Sequence, residues 1–586
     1  ADKGKNTTAA MIKTNKIILT AILLSCISTF MLAVPALKGI KKTIVLEDGE
    51  KIDVELKGDE YCSWWEAKDG TCYSKAAEDN SYRIIDVKAK LAETHYLRIA
   101  ENTANMERLS KARAAKKSGQ LGGSYIGTKR GIIILVNFAD TKFGFGHNQA
   151  FYDRVANEEN FTHTLGFVAS VHDYYKTQSN GQFDIKFDVV GPYTLPQKYS
   201  YYGAHDNSKV DKRPGTMIAT ACKLADADVN FSNYDWDGDG YVEQVFVLYA
   251  GDGENSNADE NLIWPHKGQL SKSDNGSSYV SDDNGTCVNV YACASEYTSI
   301  VTSVGVKRNI DGIGTICHEY SHCLGLCDMY DTAGTGNYGM GKYDIMSAGN
   351  YNGNSFYPAN FTAYEKWMAG WLEPIELSTP TTVKGIAATG QSYGQAFVIY
   401  NETHPDEFYL IENRQTSTDL FDSKLPGSGL MIMHCDYKES IWNNNEINAI
   451  VNYSSMYGDI YKDWDNDHER FTFFNADPTQ INDYALYPAN GNNALTDTST
   501  PSAKLYNNRA YMGKPITDIV QNADGTIDFN FMGGSDKNIV NGILHVDNER
   551  YETGQSAYTI DGKRVIPGNG KVTHGLYIMN GKKVVR

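Results

Sequence analysis

Gly314-Thr-Ile-Cys-His318-Glu319-Tyr-Ser-His322-Cys-Leu-Gly325-Leu-Cys-Asp328 places two histidines four residues apart. On a helix that spacing puts both on one face, where both reach one metal ion. Neutral imidazole suits zinc. Glu319 stands beside the first histidine, placed to take a proton from a zinc-activated water rather than to bind the metal. Gly325 stops the helix and permits a turn. That turn brings Asp328 back as a third ligand and leaves one position open. With 13 histidines in 586 residues, His-Glu-x-x-His alone arises by chance in about one such sequence in 60. The added glycine and acid lower that chance roughly a hundredfold.

Working outward, the next carboxylates decide the third ligand. There is no Glu between Glu319 and Glu365, so a Glu some twenty residues beyond the second histidine is not available. Asp328, Asp331 and Asp344 remain. Spacing selects Asp328, with Asp331 as the substitute. Cys317, Cys323 and Cys327 offer a thiolate alternative, although Cys317 and Cys323 point away from the histidine face of an ideal helix. Downstream, Lys342-Tyr-Asp344-Ile345-Met346-Ser347 carries a Met in a tight turn. After a three-ligand motif this resembles the turn that floors the zinc site of metzincin-like enzymes, with Met346 as the floor. Tyr351, five residues on, is a candidate oxyanion stabiliser.

The chain resembles the immune inhibitor A-like family of secreted zinc metallopeptidases. His318 to Asp331 and Tyr343 to Ser347 are similar to its active-site core, and Ala363 to Trp371 to its following helix. Leu135 to Asp140, Asp173 to Gly181, Phe408 to Gln415 and Leu425 to Asp436 resemble its other elements. The resemblance implies zinc on His318, His322 and Asp328, and Glu319 as catalytic acid/base. Cys327 and Cys323 depart from the family's pattern.

A second metal pattern is Asp235-Trp-Asp237-Gly-Asp239-Gly240-Tyr-Val-Glu243. Alternate aspartates with a glycine turn wrap calcium, a hard cation that takes oxygen ligands. The twelfth position of a full calcium loop is Phe246 rather than Glu. Glu243 is therefore the residue that completes a shorter site.

Lys13 and Lys16 precede an apolar run from Ile17 that continues to Ala36, the pattern of a secretory signal peptide cleaved after Ala36. Ten residues lie before Met11. Leu23-Leu24-Ser25-Cys26 loosely resembles a lipoprotein box. No later segment reads as membrane-spanning. The formal net charge of −18 argues against nucleic acid as a partner, because phosphate contacts need clustered Lys and Arg. Ten cysteines in 586 residues are too sparse for a disulfide scaffold. Cys62/Cys72 and Cys287/Cys293 are close enough in sequence to bridge.

The expected fold class is α+β: a metzincin-like zinc peptidase domain between a pro-segment and β-rich domains. The expected boundaries are 1–36 signal peptide, 37–123 pro-segment, 124–375 catalytic domain, 376–535 β-rich region and 536–586 β tail. In the pro-segment, 37–92 reads as short strands and 92–117 as a charged helix, followed by a Gly/Ser linker. The tail resembles a secretion-associated domain, with hairpin dipeptides at Asp561-Gly562 and Asn580-Gly581. The expected function is a secreted or cell-surface zinc endopeptidase, made as a zymogen and acting on proteins or peptides. The competing expectation is a non-catalytic binding protein on the same scaffold. A scaffold needs the histidines, whereas only catalysis needs Glu319.

Overall fold

The computed structural model describes residues 31–535 except 33, 77–79, 121, 206–209, 283–284, 392–394 and 508–509, together with six short strands between 538 and 585. The signal-peptide reading falls mainly on residues 1–30, outside the described residues. Of its remainder, Met31–Leu32 pairs antiparallel with His266–Gln269. Val34 is buried, and its carbonyl accepts the Trp264 indole N–H at 2.9 Å.

The chain forms two compact units. One comprises residues up to 101, 130–152 and 187–309; the other comprises 102–129, 153–186 and 310 onward.

In the first unit, a seven-stranded sheet runs Met31–Leu32, His266–Gln269, Val290–Thr302, Val245–Asp252, Gly127–Asn137, Phe183–Thr194, with Gly305–Ile310 also on Val290–Thr302. Val245–Asp252 is parallel to both of its neighbours. Parallel strands are covered on both faces, which is why Ile132 to Val136 is an unbroken apolar run and fully buried. Met217, Ile218, Ala221 and Cys222 of the helix Pro214–Ala225 pack into that core.

The N-terminal strands Lys41–Val45, Lys51–Gly58, Ser63–Ala67, Cys72–Lys75 and Tyr82–Ile84 form an antiparallel meander. Its core of Ile44, Val54, Leu56, Trp65 and Tyr73 closes on Trp264. The Trp65 indole donates to Glu260 at 2.7 Å, and Lys42 pairs with Glu260 at 3.3 Å.

The nine described cysteines are all free, so the expected bridges are corrected. Cys72 lies opposite Glu66, whereas Cys62 lies four residues before Glu66, about 13 Å of extended chain. Cys287 pairs with Tyr241 in a small sheet, while Cys293 lies between Val247 and His266 in the large one.

A 32-residue helix, α1 (Val87–Ser118), follows the meander. In the second unit, α2 (Val171–Gln178) starts on a capping box in which Ser170 and Asp173 satisfy each other's backbone N–H. Further on come α3 (Gly314–Cys323) and α4 (Ala363–Met368), the latter capped the same way by Thr362 and Glu365. The β-rich region holds one sheet ordered Ile375–Glu376, Ala396–Tyr400, Glu407–Arg414, Gly429–Asp436, Phe471–Phe473. A second sheet is built on Ile516–Gln521, Ile527–Phe531 and Thr381–Ile386. Phe397, Ile411 and Ile432 of one sheet and Phe529 and Phe531 of the other share a core. A short helix, α5 (Glu439–Asn444), interrupts the strands. The tail strands between 557 and 585 form a four-stranded antiparallel sheet. The fold class is α+β.

Candidate metal centre

All ten residues of α3 are buried, so its polar side chains must be paired. The Gly314 N–H donates to Ser355 O at 2.8 Å, and a side chain at Gly314 would overlap the Asn350 carbonyl. Tyr175 of α2 donates its phenol to Cys317 O at 2.8 Å, anchoring the middle of α3.

The helix ends in a Schellman turn. The Gly325 N–H bonds His322 O at 2.9 Å and the Leu326 N–H bonds Ser321 O at 3.2 Å, with Gly325 at φ +102°. Bending the chain this way brings Leu326 O to 2.8 Å from His322 Nδ1. Ile345 O, in the turn before Met346, lies 2.6 Å from His318 Nδ1. Each backbone carbonyl occupies Nδ1 and leaves Nε2 for a metal.

The two Nε2 atoms stand 3.0 Å apart, and Asp328 Oδ1 lies 3.4 Å from the first and 3.2 Å from the second. Three donors on a tetrahedral zinc stand roughly 3.3 Å apart. The donor set of two imidazoles and a carboxylate therefore fits zinc in chemistry and in spacing. Burial lowers the His318 pKa, which favours the neutral imidazole that ligates. Burial works to raise the Asp328 carboxyl, but the facing His322 and His318 outweigh it and hold that group well below the usual range.

The alternatives are engaged elsewhere. Asp331 Oδ2 accepts from Gly336 N at 2.8 Å and Asn337 N at 3.0 Å in its own loop. Asp344 Oδ1 accepts from Met346 N at 2.7 Å. The Cys327 thiol meets Asn102 Nδ2 at 3.2 Å. Glu319, next to the first donor, is fully buried.

Residues 128–373 match the family model described as immune inhibitor A peptidase M6, catalytic domain. These residues belong to that peptidase family. Immune inhibitor A of Bacillus thuringiensis subsp. alesti is 26% identical over 306 residues, 44% of this chain and 42% of the relative. The pre-pro-metalloprotease PrtV of Vibrio cholerae is 24% identical over 283 residues, 42% of this chain and 30% of the relative. The chain thus spans less than half the length of these relatives.

Within the M6 domain the other predicted residues fall as follows. Met346 is fully buried, and its carbonyl accepts the Met329 N–H at 2.7 Å. Tyr351 ends the turn Ala348–Tyr351, close in sequence to Ser355, which holds the first N–H of α3. Asp235, Asp237 and Asp239 converge as a second group of potential metal ligands. The turn is wound on Asp235, whose carboxylate accepts from Gly238 N at 2.7 Å and Gly240 N at 2.9 Å. Glu243 lies outside that trio and accepts the Trp236 N–H at 2.7 Å. Burial, with the charges of Asp237 and Asp235 beside it, pushes its carboxyl up to about 8.

Sequence reasoning missed Asn445. Its Oδ1 accepts the Asp328 N–H at 2.8 Å, and its Nδ2 donates to Asp328 Oδ2 at 2.6 Å. That leaves Oδ1 of Asp328 turned to the imidazoles. Asn445 caps α5 with φ +56°, a conformation Asn and Asp tolerate. Asn445→Asp keeps that backbone but sets a second carboxylate against Asp328. Zinc affinity in this variant is expected to fall about 10–100-fold. Competition with a chromophoric chelator measures it, and wild-type affinity would remove Asn445 from the site. The only sequence signal was the run Asn443-Asn444-Asn445 at a helix end, far from the motif.

Proposed function

We propose that the chain is a secreted zinc endopeptidase made as a zymogen. The observation that carries this reading is the triangle of His318, His322 and Asp328 donors at zinc spacing, with buried Glu319 adjoining it. Zinc, when bound, would polarise the scissile carbonyl and acidify a neighbouring water. Glu319 accepts the proton of the attacking water and returns it to the leaving amine. Leu326 O and Ile345 O keep both imidazoles oriented throughout. The Met346 turn supports His318 through Ile345, and Tyr351 is a candidate donor to the developing oxyanion. The buried Glu319 favours this reading over a binding protein on the same scaffold, which would gain nothing from it. Incubating the full chain with a peptide library and mapping cuts by mass spectrometry tests it. Cuts that stop on chelation and return with zinc are expected; no cuts from a zinc-loaded, processed chain would reject an endopeptidase.

Export is supported by the N-terminal apolar pattern; among the described residues no helix is long and apolar enough to cross a membrane. Latency is assigned to the segment from Leu37 to about Gly123. Its meander is anchored through Trp65, Lys42 and Tyr82 on Glu260, inside the M6 match. Inhibition by cover is favoured over a Cys62 thiolate plug, because Cys62 is fully buried in the turn it forms with Asp59.

The Asp235, Asp237 and Asp239 loop is read as a calcium site, with Glu243 behind it. Calcium bound only by the folded chain stabilises it, by about 2.7 kcal/mol at a hundredfold excess over Kd. The melting temperature is therefore expected to rise with calcium in the wild type and not in Asp237→Ala. An equal response in both would rule the loop out.

A further inference from the structure

The carbonyls at the end of α3 belong to the turn that shapes the metal triangle. The Schellman bonds satisfy Ser321 O and His322 O. Cys323 O and Leu324 O are left to side chains. Arg108 Nη1 donates to Cys323 O at 3.0 Å, and Tyr125 donates its phenol to Leu324 O at 2.8 Å. Arg108 comes from the stretch read as pro-segment, and Tyr125 from the first residues after its linker. A guanidinium is well matched to a helix C-terminus, where the backbone dipole is negative.

The packing around these two bonds is close. A side chain at Gly325 would sit 2.5 Å from Asn105 O and 3.0 Å from Leu109 Cβ, so α1 fits only against a glycine turn. Asn102 donates to Trp442 O and to Cys327 Sγ, one residue before Asp328. Asn102, Asn105, Leu109 and Ala112 are buried, forming one helical stripe. Lys116 reaches Gly370 O, and the Trp371 indole donates to Tyr125 O at 2.8 Å. Residues 116–120, between the two caps, are exposed.

We infer that residues 102–125 stay in the active peptidase as the support of its zinc turn, with Arg108 and Tyr125 as positioning residues. This rests on the zinc-peptidase and zymogen readings above. A cut in the exposed 116–120 stretch leaves α1 seated.

The test uses the signal-free full chain with site-specific protease sequences inserted after Ile85 and after Gly119, so that the fragment carrying α1 is separated from the meander held on Glu260. After cutting, the fragment carrying α1 is expected to co-elute with the rest in native gel filtration and to separate only in urea. Zinc affinity, read by chelator competition, is expected to fall about tenfold in Arg108→Met and in Tyr125→Phe. Arg108→Lys, which keeps a donor, should restore most of it. The visible spectrum of the cobalt-loaded chain should shift in Arg108→Met and not in Arg108→Lys. Release of the fragment without urea overturns the inference, as does wild-type zinc affinity in both Arg108→Met and Tyr125→Phe. Latency reads out separately, as turnover of a quenched peptide by the unprocessed and the processed chain. Equal turnover defeats latency and leaves the co-elution and zinc results standing.

Discussion

Glu319→Ala is expected to lower proteolysis about 10²- to 10⁴-fold, the span over which a positioned general base acts. Zinc content should stay near one per chain. The separation of the two effects comes from the geometry. The three donors are His318, His322 and Asp328, each held by its own partner: Ile345 O, Leu326 O and Asn445. None of those partners is Glu319. His322→Ala removes a donor from the triangle and should lose the metal along with activity. Metal analysis beside a peptide assay distinguishes the two variants. A purified Glu319→Ala chain that still cleaves would sink the proposed mechanism.

Arg414→Met is expected to destabilise the second unit by about 3–5 kcal/mol, the usual cost of stripping one partner from a buried ion pair. The Arg414 side chain is fully buried. Its guanidinium donates to Asp422 at 2.7 and 2.8 Å, to Glu412 at 3.1 Å and to Tyr343 O at 2.8 Å. Burial works to lower its pKa, yet the surrounding carboxylates outweigh burial and raise it. Without the guanidinium, Glu412 and Asp422 are buried with less compensation. Lysine should not rescue, because it cannot reproduce a planar fork that bonds Asp422 through two atoms. Urea midpoints of the full chain measure the loss, and a change below about 1 kcal/mol would show that the network relaxes around the gap. The same substitution frees Tyr343 O, three residues before Met346, and so loosens the turn that orients His318.

The metal triangle was legible because its chemistry is local. His318 and His322 share a helix face by periodicity alone, and Gly325 announces the turn that returns Asp328. The buried strands were legible for a similar reason: Ile132 to Val136 can only be covered on both sides. What stayed hidden depends on contacts between distant segments. Asn445 gives no sign in sequence that it clamps Asp328. Arg108 sits in a stretch that reads as a charged helix, yet its partner is a backbone carbonyl, which carries no sequence signature. Cys62 and Cys72 looked like a bridge on spacing, and only strand register shows that they are offset. Spacing preferred Asp328 to Asp331, and the N–H groups of 336 and 337 that occupy Asp331 supply the reason.

Asn445 follows Asp328 by 117 residues, and ribosomes deliver chains from the N-terminus. The histidine motif is therefore made before the residue that clamps its third ligand exists. A growing chain that ends before Asn445 holds the motif without an assembled site, and metal capture needs the assembled site. Metal loading at these donors thus becomes a late step that follows the synthesis of Asn445.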